Sequence, residues 1–126
     1  MKIKNIKFKA KQLNSEKWFE GDLVRLGNRV CIGGDHIKDG ITDVDPSTVC
    51  MFTGLKDCEG NETWEGDILQ DVDDDDIKYV VIFDVGAFLA RKEGLYTSIP
   101  LHECVGSLGN DVITYAKVVG NKFDKK

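Results

Sequence analysis

No apolar run in this 126-residue chain is long enough to cross a bilayer, because stretches such as Tyr79 to Phe83 fall far short of the roughly 18 residues a membrane helix needs. The first residues, Met1 to Lys11, alternate lysine with apolar side chains and contain no continuous apolar stretch, so no secretory signal is read there and the expected compartment is the cytoplasm. The four cysteines, Cys31, Cys50, Cys58 and Cys104, include no C-x-x-C pair, which removes the usual zinc frameworks. Without a signal they are expected as reduced thiols that pack as small hydrophobes. A metal site built from His36, His102 and these thiols has no supporting spacing. The chain also lacks a P-loop, a G-x-G-x-x-G, a G-x-S-x-G and an H-E-x-x-H. Cys104 stands two residues from His102, but no orienting acid is recognisable beside them, so no catalytic dyad is assigned.

Excess positive charge is missing too. The net charge is −5, spread unevenly: +5 over residues 1–34, −12 over 35–85 and +2 over 86–126. A protein that wraps nucleic acid needs a basic stripe, because neutralised phosphates release counterions and supply most non-specific affinity. Only Lys7, Lys9 and Lys11 suggest a small basic face, and the simpler reading is a solvated outer face of one strand. The run Asp71-Val72-Asp73-Asp74-Asp75-Asp76 fails as an EF-hand loop, since counting from Asp71 puts Asp76 at the glycine position and Ile82 at the bidentate glutamate position. It reads instead as a charged hairpin tip that discourages edge-to-edge pairing, with a loose cation site or a surface mimicking nucleic acid as alternatives.

What is present is the period-two pattern of β structure. With 41% hydrophobic and 31% charged residues, the composition suits a globular domain with its own core. Ile6, Phe8 and Ala10 share one parity and Lys7, Lys9 and Lys11 the other, as in a strand with one buried face. Further strands are expected at 18–26, 29–32, 49–53, 67–69, 79–84, 87–91, 96–99 and 112–120, with one short helix at 101–105. Asp45-Pro46-Ser47-Thr48 reads as a turn or single helical turn, and Asp57-Cys58-Glu59-Gly60 as a type I turn joining two strands. Phe19-Glu20-Gly21-Asp22-Leu23-Val24 and Trp64-Glu65-Gly66-Asp67-Ile68-Leu69 form a two-copy repeat, read as glycine turning into the start of a strand. Trp18, Phe19 and Trp64 flank those starts and are expected in the core rather than stacked on bases. The expected fold class is mainly β, two small fused β units at residues 1–57 and 58–126, the C-terminal one an SH3-like barrel.

The motif Val44-Asp45-Pro46-Ser47-Thr48-Val49, then Phe52-Thr53-Gly54-Leu55-Lys56-Asp57, Gly60 and Glu65-Gly66-Asp67-Ile68-Leu69, resembles the signature of the YopX-like proteins of bacteriophages and prophages. Lys7-Phe8-Lys9-Ala10 is similar to that family's Phe-Arg-Ala opening, with lysine for arginine, and Val118-Val119-Gly120-Asn121 to its closing Val-Ile-Gly-Asn. The resemblance implies a β-rich phage or prophage protein in a bacterial host cytoplasm, with an SH3-type C-terminal part and no assigned activity. The long Asp71 to Asp76 run and the extra cysteines depart from the pattern.

The expected function is therefore a non-enzymatic interaction or assembly protein, with a small module contacting nucleic acid or its processing machinery as the alternative. No catalytic, cofactor-binding or metal residue is assigned and no cofactor is expected. The expected partners are further copies of the chain and a host or phage protein, with nucleic acid left open and no membrane.

Overall fold

The computed structural model describes residues 3–84, 86–92, 98–101 and 112–124. Strands dominate: β1 (Phe8–Lys11), β2 (Trp18–Leu26), β3 (Arg29–Gly33), β4 (Ile41–Asp43), β5 (Cys50–Lys56), β6 (Glu62–Trp64), β7 (Asp67–Asp71), β8 (Lys78–Asp84), β9 (Ala87–Lys92), β10 (Ser98–Pro100) and β11 (Ala116–Asn121). One four-residue helix, α1 (Val112–Tyr115), precedes the last strand. No helix among the described residues is long and apolar enough to cross a membrane.

The chain divides into two compact units, Met1–Phe52 and Thr53–Lys126. The boundary falls inside β5, a few residues before the 57/58 junction read from the turn chemistry. In the first unit the antiparallel order is β4-β3-β2-β1-β5. The alternation in β1 and β2 puts Ala10 opposite Phe19 and sends both toward a core of Ala10, Ile32, Ile37 and Val44, where Phe8 and Leu23 also pack. Between β4 and β5, Pro46–Thr48 make one turn of 3-10 helix. Asp45 caps it by accepting from the Ser47 N–H, and proline supplies the preset φ of a first helical residue.

In the second unit the distal part of β5 neighbours β6, and the remaining strands follow the antiparallel order β10-β9-β8-β7-β11. Leu69, Tyr79, Val81 and Ala90 project from one face into a core shared with Leu101, Val112, Ile113 and Ala116. The last strand thus returns to pair with β7, Val118 opposite Leu69, and a bulge lies between Val118 and Gly120. Among the described residues the two edge strands, β10 and β11, do not pair with each other, so the sheet is open and no closed barrel is formed.

Two expectations change here. The segment 112–120, read as one strand, is helix over 112–115 and strand from Ala116, because Val112 and Ile113 are drawn into the core and the Ile113 N–H donates to the Leu101 carbonyl. Of the expected helix at 101–105, only Leu101 is described, as a bend; residues 102–105, like Tyr96 and Thr97 of the expected strand at 96–99, lie outside the described residues. The repeat also splits. Gly66 takes φ +86° at a turn, whereas Gly21 lies inside β2, where a Cβ would collide with the Gly33 carbonyl oxygen of β3. One glycine serves a backbone angle and the other a close strand approach.

Candidate functional site

The residues of the middle motif form two buried polar knots in the second unit. In the first, Asp57 opens the turn between β5 and β6, and the Gly60 N–H closes it on the Asp57 carbonyl at 3.1 Å. Oδ1 accepts from the N–H groups of Glu59 (2.9 Å) and Asn61 (2.8 Å), as an aspartate leading a turn does. Oδ2 reaches β11, accepting from the Val118 N–H at 2.8 Å and from Asn61 Nδ2 at 3.2 Å. Asp57 is only 6% exposed. Burial alone raises the pKa of its carboxyl, but the hydrogen bonds from Val118, Asn61 and Glu59 outweigh that and hold it below the usual carboxylate range.

The second knot joins the Glu65-Gly66-Asp67 motif to the closing Gly120-Asn121. Asp67 Oδ2 accepts from the Trp64 N–H at 2.7 Å, and Asp67 Oδ1 accepts from Asn121 Nδ2 at 3.0 Å. Asn121 Oδ1 in turn accepts from the Phe123 N–H, and the Asn121 N–H donates to Asp124. Gly66 is threaded through the same knot, its N–H donating to the Val81 carbonyl and its carbonyl accepting from the Lys122 N–H. A side chain there would sit 3.2 Å from Asn121 Nδ2. Motifs far apart in the chain therefore meet as one structural unit, which sequence order alone does not reveal; the pairing of β11 with β7 is what brings them together.

The thiols and histidines fall elsewhere. Cys31 and Cys50 are buried and Cys58 exposed, all three as thiols outside any disulfide; Cys104 and His102 lie outside the described residues. Cys31 Sγ donates to Asp43 Oδ1 at 3.1 Å, and the same oxygen accepts from Arg29 Nε at 3.0 Å. Burial first, then the bond to Asp43, pushes the Cys31 thiol pKa up, away from the reactive thiolate. His36 Nε2 donates to the Glu20 carbonyl at 2.6 Å. No group of three or more His, Cys, Asp or Glu able to hold a metal occurs among the described residues.

Lys7, Lys9 and Lys11 are not a solvated outer row. Lys9 stands opposite Glu20 and Cys50, and Lys11 opposite Trp18, so their face also carries aromatic side chains. Lys11 is 6% exposed and bonded to Glu16, and Lys7 pairs with Glu20 at 3.2 Å. Lys9 and Lys11 sit 5.0 and 5.5 Å from the Trp18 ring centre, and Lys7 4.6 Å from that of Phe52. Their stems cover apolar surface while their ammonium groups lie over π faces. The patterning shows alternation but not which partner strands flank it, and those flanks carry Trp18 and Phe52. The acidic run does form the tip between β7 and β8, with Asp73 to Asp76 exposed and the Asp73 and Asp76 N–H groups bonded to Asp71 and Asp74. Trp64 is buried and Phe19 packs on the first core, as expected for both.

A mainly β architecture whose signature side chains brace backbone is the class these contacts define. The family model described as YopX protein matches residues 2–125, nearly the whole chain, and the chain belongs to that family. No curated protein matches the sequence.

Proposed function

We propose that this chain is a non-enzymatic interaction or assembly protein, encoded by a phage or prophage and acting in a bacterial cytoplasm. The observation that carries the reading is the use made of the signature's acids. Asp57 and Asp67 direct their oxygens at main-chain and amide donors, so the residues that define the family stabilise a scaffold. Catalytic carboxylates, in contrast, need an oxygen left to take or give a proton. A partner surface is favoured at one end of the second sheet, where Phe83 and Phe88 pair edge to face at 5.0 Å and Phe83 is 46% exposed. Ile99, 42% exposed, lies on the same face of the neighbouring edge strand β10. The finer fold reading, an SH3-like second unit, is supported by the order β10-β9-β8-β7-β11 together with a helical turn just before the final strand.

Light scattering coupled to size-exclusion chromatography tests this at low and high salt. Assembly gives a mass above the 14.1 kDa monomer, reduced by Phe83→Ser. A monomer mass at every micromolar concentration and both salts overturns self-assembly. The second reading, contact with nucleic acid or its machinery, is favoured only by the lysine and aromatic alternation over Lys7, Lys9, Lys11 and Trp18. A steep loss of binding to single strands with added salt is its signature.

A further inference from the structure

The first unit contains a cleft of about 460 Å³ that none of the preceding contacts explains. Its volume falls within the roughly 300 to 1,000 Å³ of small-molecule sites. The lining is chemically specific. Phe19 presents a half-buried ring anchored by the core behind it. Gln12 Nε2 donates to Thr42 Oγ1 at 3.0 Å, which leaves the amide oxygen to accept and the hydroxyl hydrogen to donate. His36 is fixed by its bond to the Glu20 carbonyl. Two ammonium groups, Lys17 and Lys38, line the same cleft, and no salt bridge ties either to a carboxylate among the described residues. Lys17 Nζ stands over the Phe19 ring, 5.1 Å from its centre, and as an exposed, flexible side chain it must swing off that face for a planar ligand to stack there. Asp39 supplies the one opposing charge among the described lining residues.

This balance runs against the rest of the molecule, which is acidic overall. Two cations match a doubly charged phosphomonoester better than a single carboxylate. A flat ring beside an amide and a hydroxyl matches a planar heterocycle with a hydrogen-bonding edge. We propose that this cleft binds a nucleoside monophosphate, its phosphate held by Lys17 and Lys38 and its base set against Phe19 within reach of Gln12 and Thr42. The site lies within one unit and is independent of whether the chain self-associates.

The test is an amide-shift NMR titration of the full chain with adenosine monophosphate, adenosine in parallel, and a short 5′-phosphorylated oligonucleotide as a third arm. Expected are saturable shifts at residues 36–42 with the monophosphate and far weaker ones with adenosine. Lys17→Ala/Lys38→Ala, a change of two exposed side chains whose fold is verified by circular dichroism, weakens binding about tenfold or more. Asp39→Asn tightens it, because asparagine tolerates the positive φ at this position while removing the opposing charge. Tighter binding of the oligonucleotide than of the monophosphate assigns the site to a strand terminus, and weaker binding to a free nucleotide. Absence of shifts at millimolar ligand in both phosphorylated arms, equal affinity for adenosine, or indifference to the double substitution overturns the proposal.

Discussion

Asp67 and Asn121 lie 54 residues apart in sequence, and a 3.0 Å hydrogen bond joins them where both are nearly inaccessible, 2% and 5% exposed. The amide fills that position as both donor and acceptor without carrying charge, since Nδ2 serves Asp67 and Oδ1 serves the Phe123 N–H. Asn121→Ala should cost roughly 1 to 3 kcal/mol, the usual penalty of leaving buried polar groups unpaired. Asn121→Asp should cost more at neutral pH, because it sets two carboxylates side by side, and should regain stability as the pH falls and one of them takes a proton. Urea melts of both variants at two pH values check this; an aspartate variant as stable as wild type at neutral pH contradicts the assigned geometry.

Asp57 predicts an acid limb. Its folded pKa is depressed, so its contribution is complete above the unfolded carboxylate range, about pH 4, and is lost as the pH drops through the folded value. Asp57→Asn replaces an oxygen that faces the Val118 N–H with either an amide nitrogen or a neutral carbonyl. It should destabilise by roughly 1 to 3 kcal/mol at neutral pH and flatten the loss of stability below pH 4. Denaturant midpoints followed from pH 7 to pH 2 measure both; an unaltered acid limb shows that other carboxylates produce it.

Gly66→Val should lower stability by roughly 1 to 3 kcal/mol, since a β-branched residue at φ +86° is strained and its side chain would press on Asn121. The matched change at the other repeat, Gly21→Ala, should destabilise for a different reason, a steric collision with β3. Thermal melts with unchanged midpoints reject these assignments.

Thiol chemistry should follow burial. Cys58 is exposed, but burial of its sulfur and then the charges of Asp57 and Glu59 push its pKa up, so alkylation in the native state should be slow at pH 7 and accelerate with rising pH. Cys31 and Cys50 should react only on unfolding. Peptide mapping after an iodoacetamide pulse separates these sites, and native labelling of Cys31 as fast as Cys58 contradicts the Asp43 contact.

Most strands were legible in the sequence because alternation and turn chemistry are local. The span 18–26 matches β2, and the 79–84 and 87–91 readings differ from β8 and β9 by single end residues. β4 and β6 were missed, being three residues each, too short for a period to register. Val-Ile-Thr-Tyr at 112–115 has strand propensity, yet it is helical because the core claims Val112 and Ile113. The motif residues could be picked out by resemblance and the turn role of Asp57 by its Asp-x-x-Gly setting. Their meeting with Val118 and Asn121 required the β7–β11 pairing, which no local pattern encodes. The cleft around Lys17 and Lys38 joins residues from three separate segments, and its lysines carried no signal of their own.

The reach from Asp57 to Val118 fixes an order of events during synthesis. The main chain of the first unit is complete at Phe52, so its sheet can form while the rest is still being translated. The turn after β5 is made early, but its carboxylate waits for an amide 61 residues later, and Asp67 waits 54 residues for Asn121. Until those residues leave the ribosome, Asp57 Oδ2 lacks its Val118 donor, Asp67 Oδ1 lacks its Asn121 donor, and the edge of β7 lacks its neighbour. The C-terminal unit is thus a late, all-at-once closure, and a nascent chain stopped before Val118 should remain as protease-sensitive in its second half as an unfolded one.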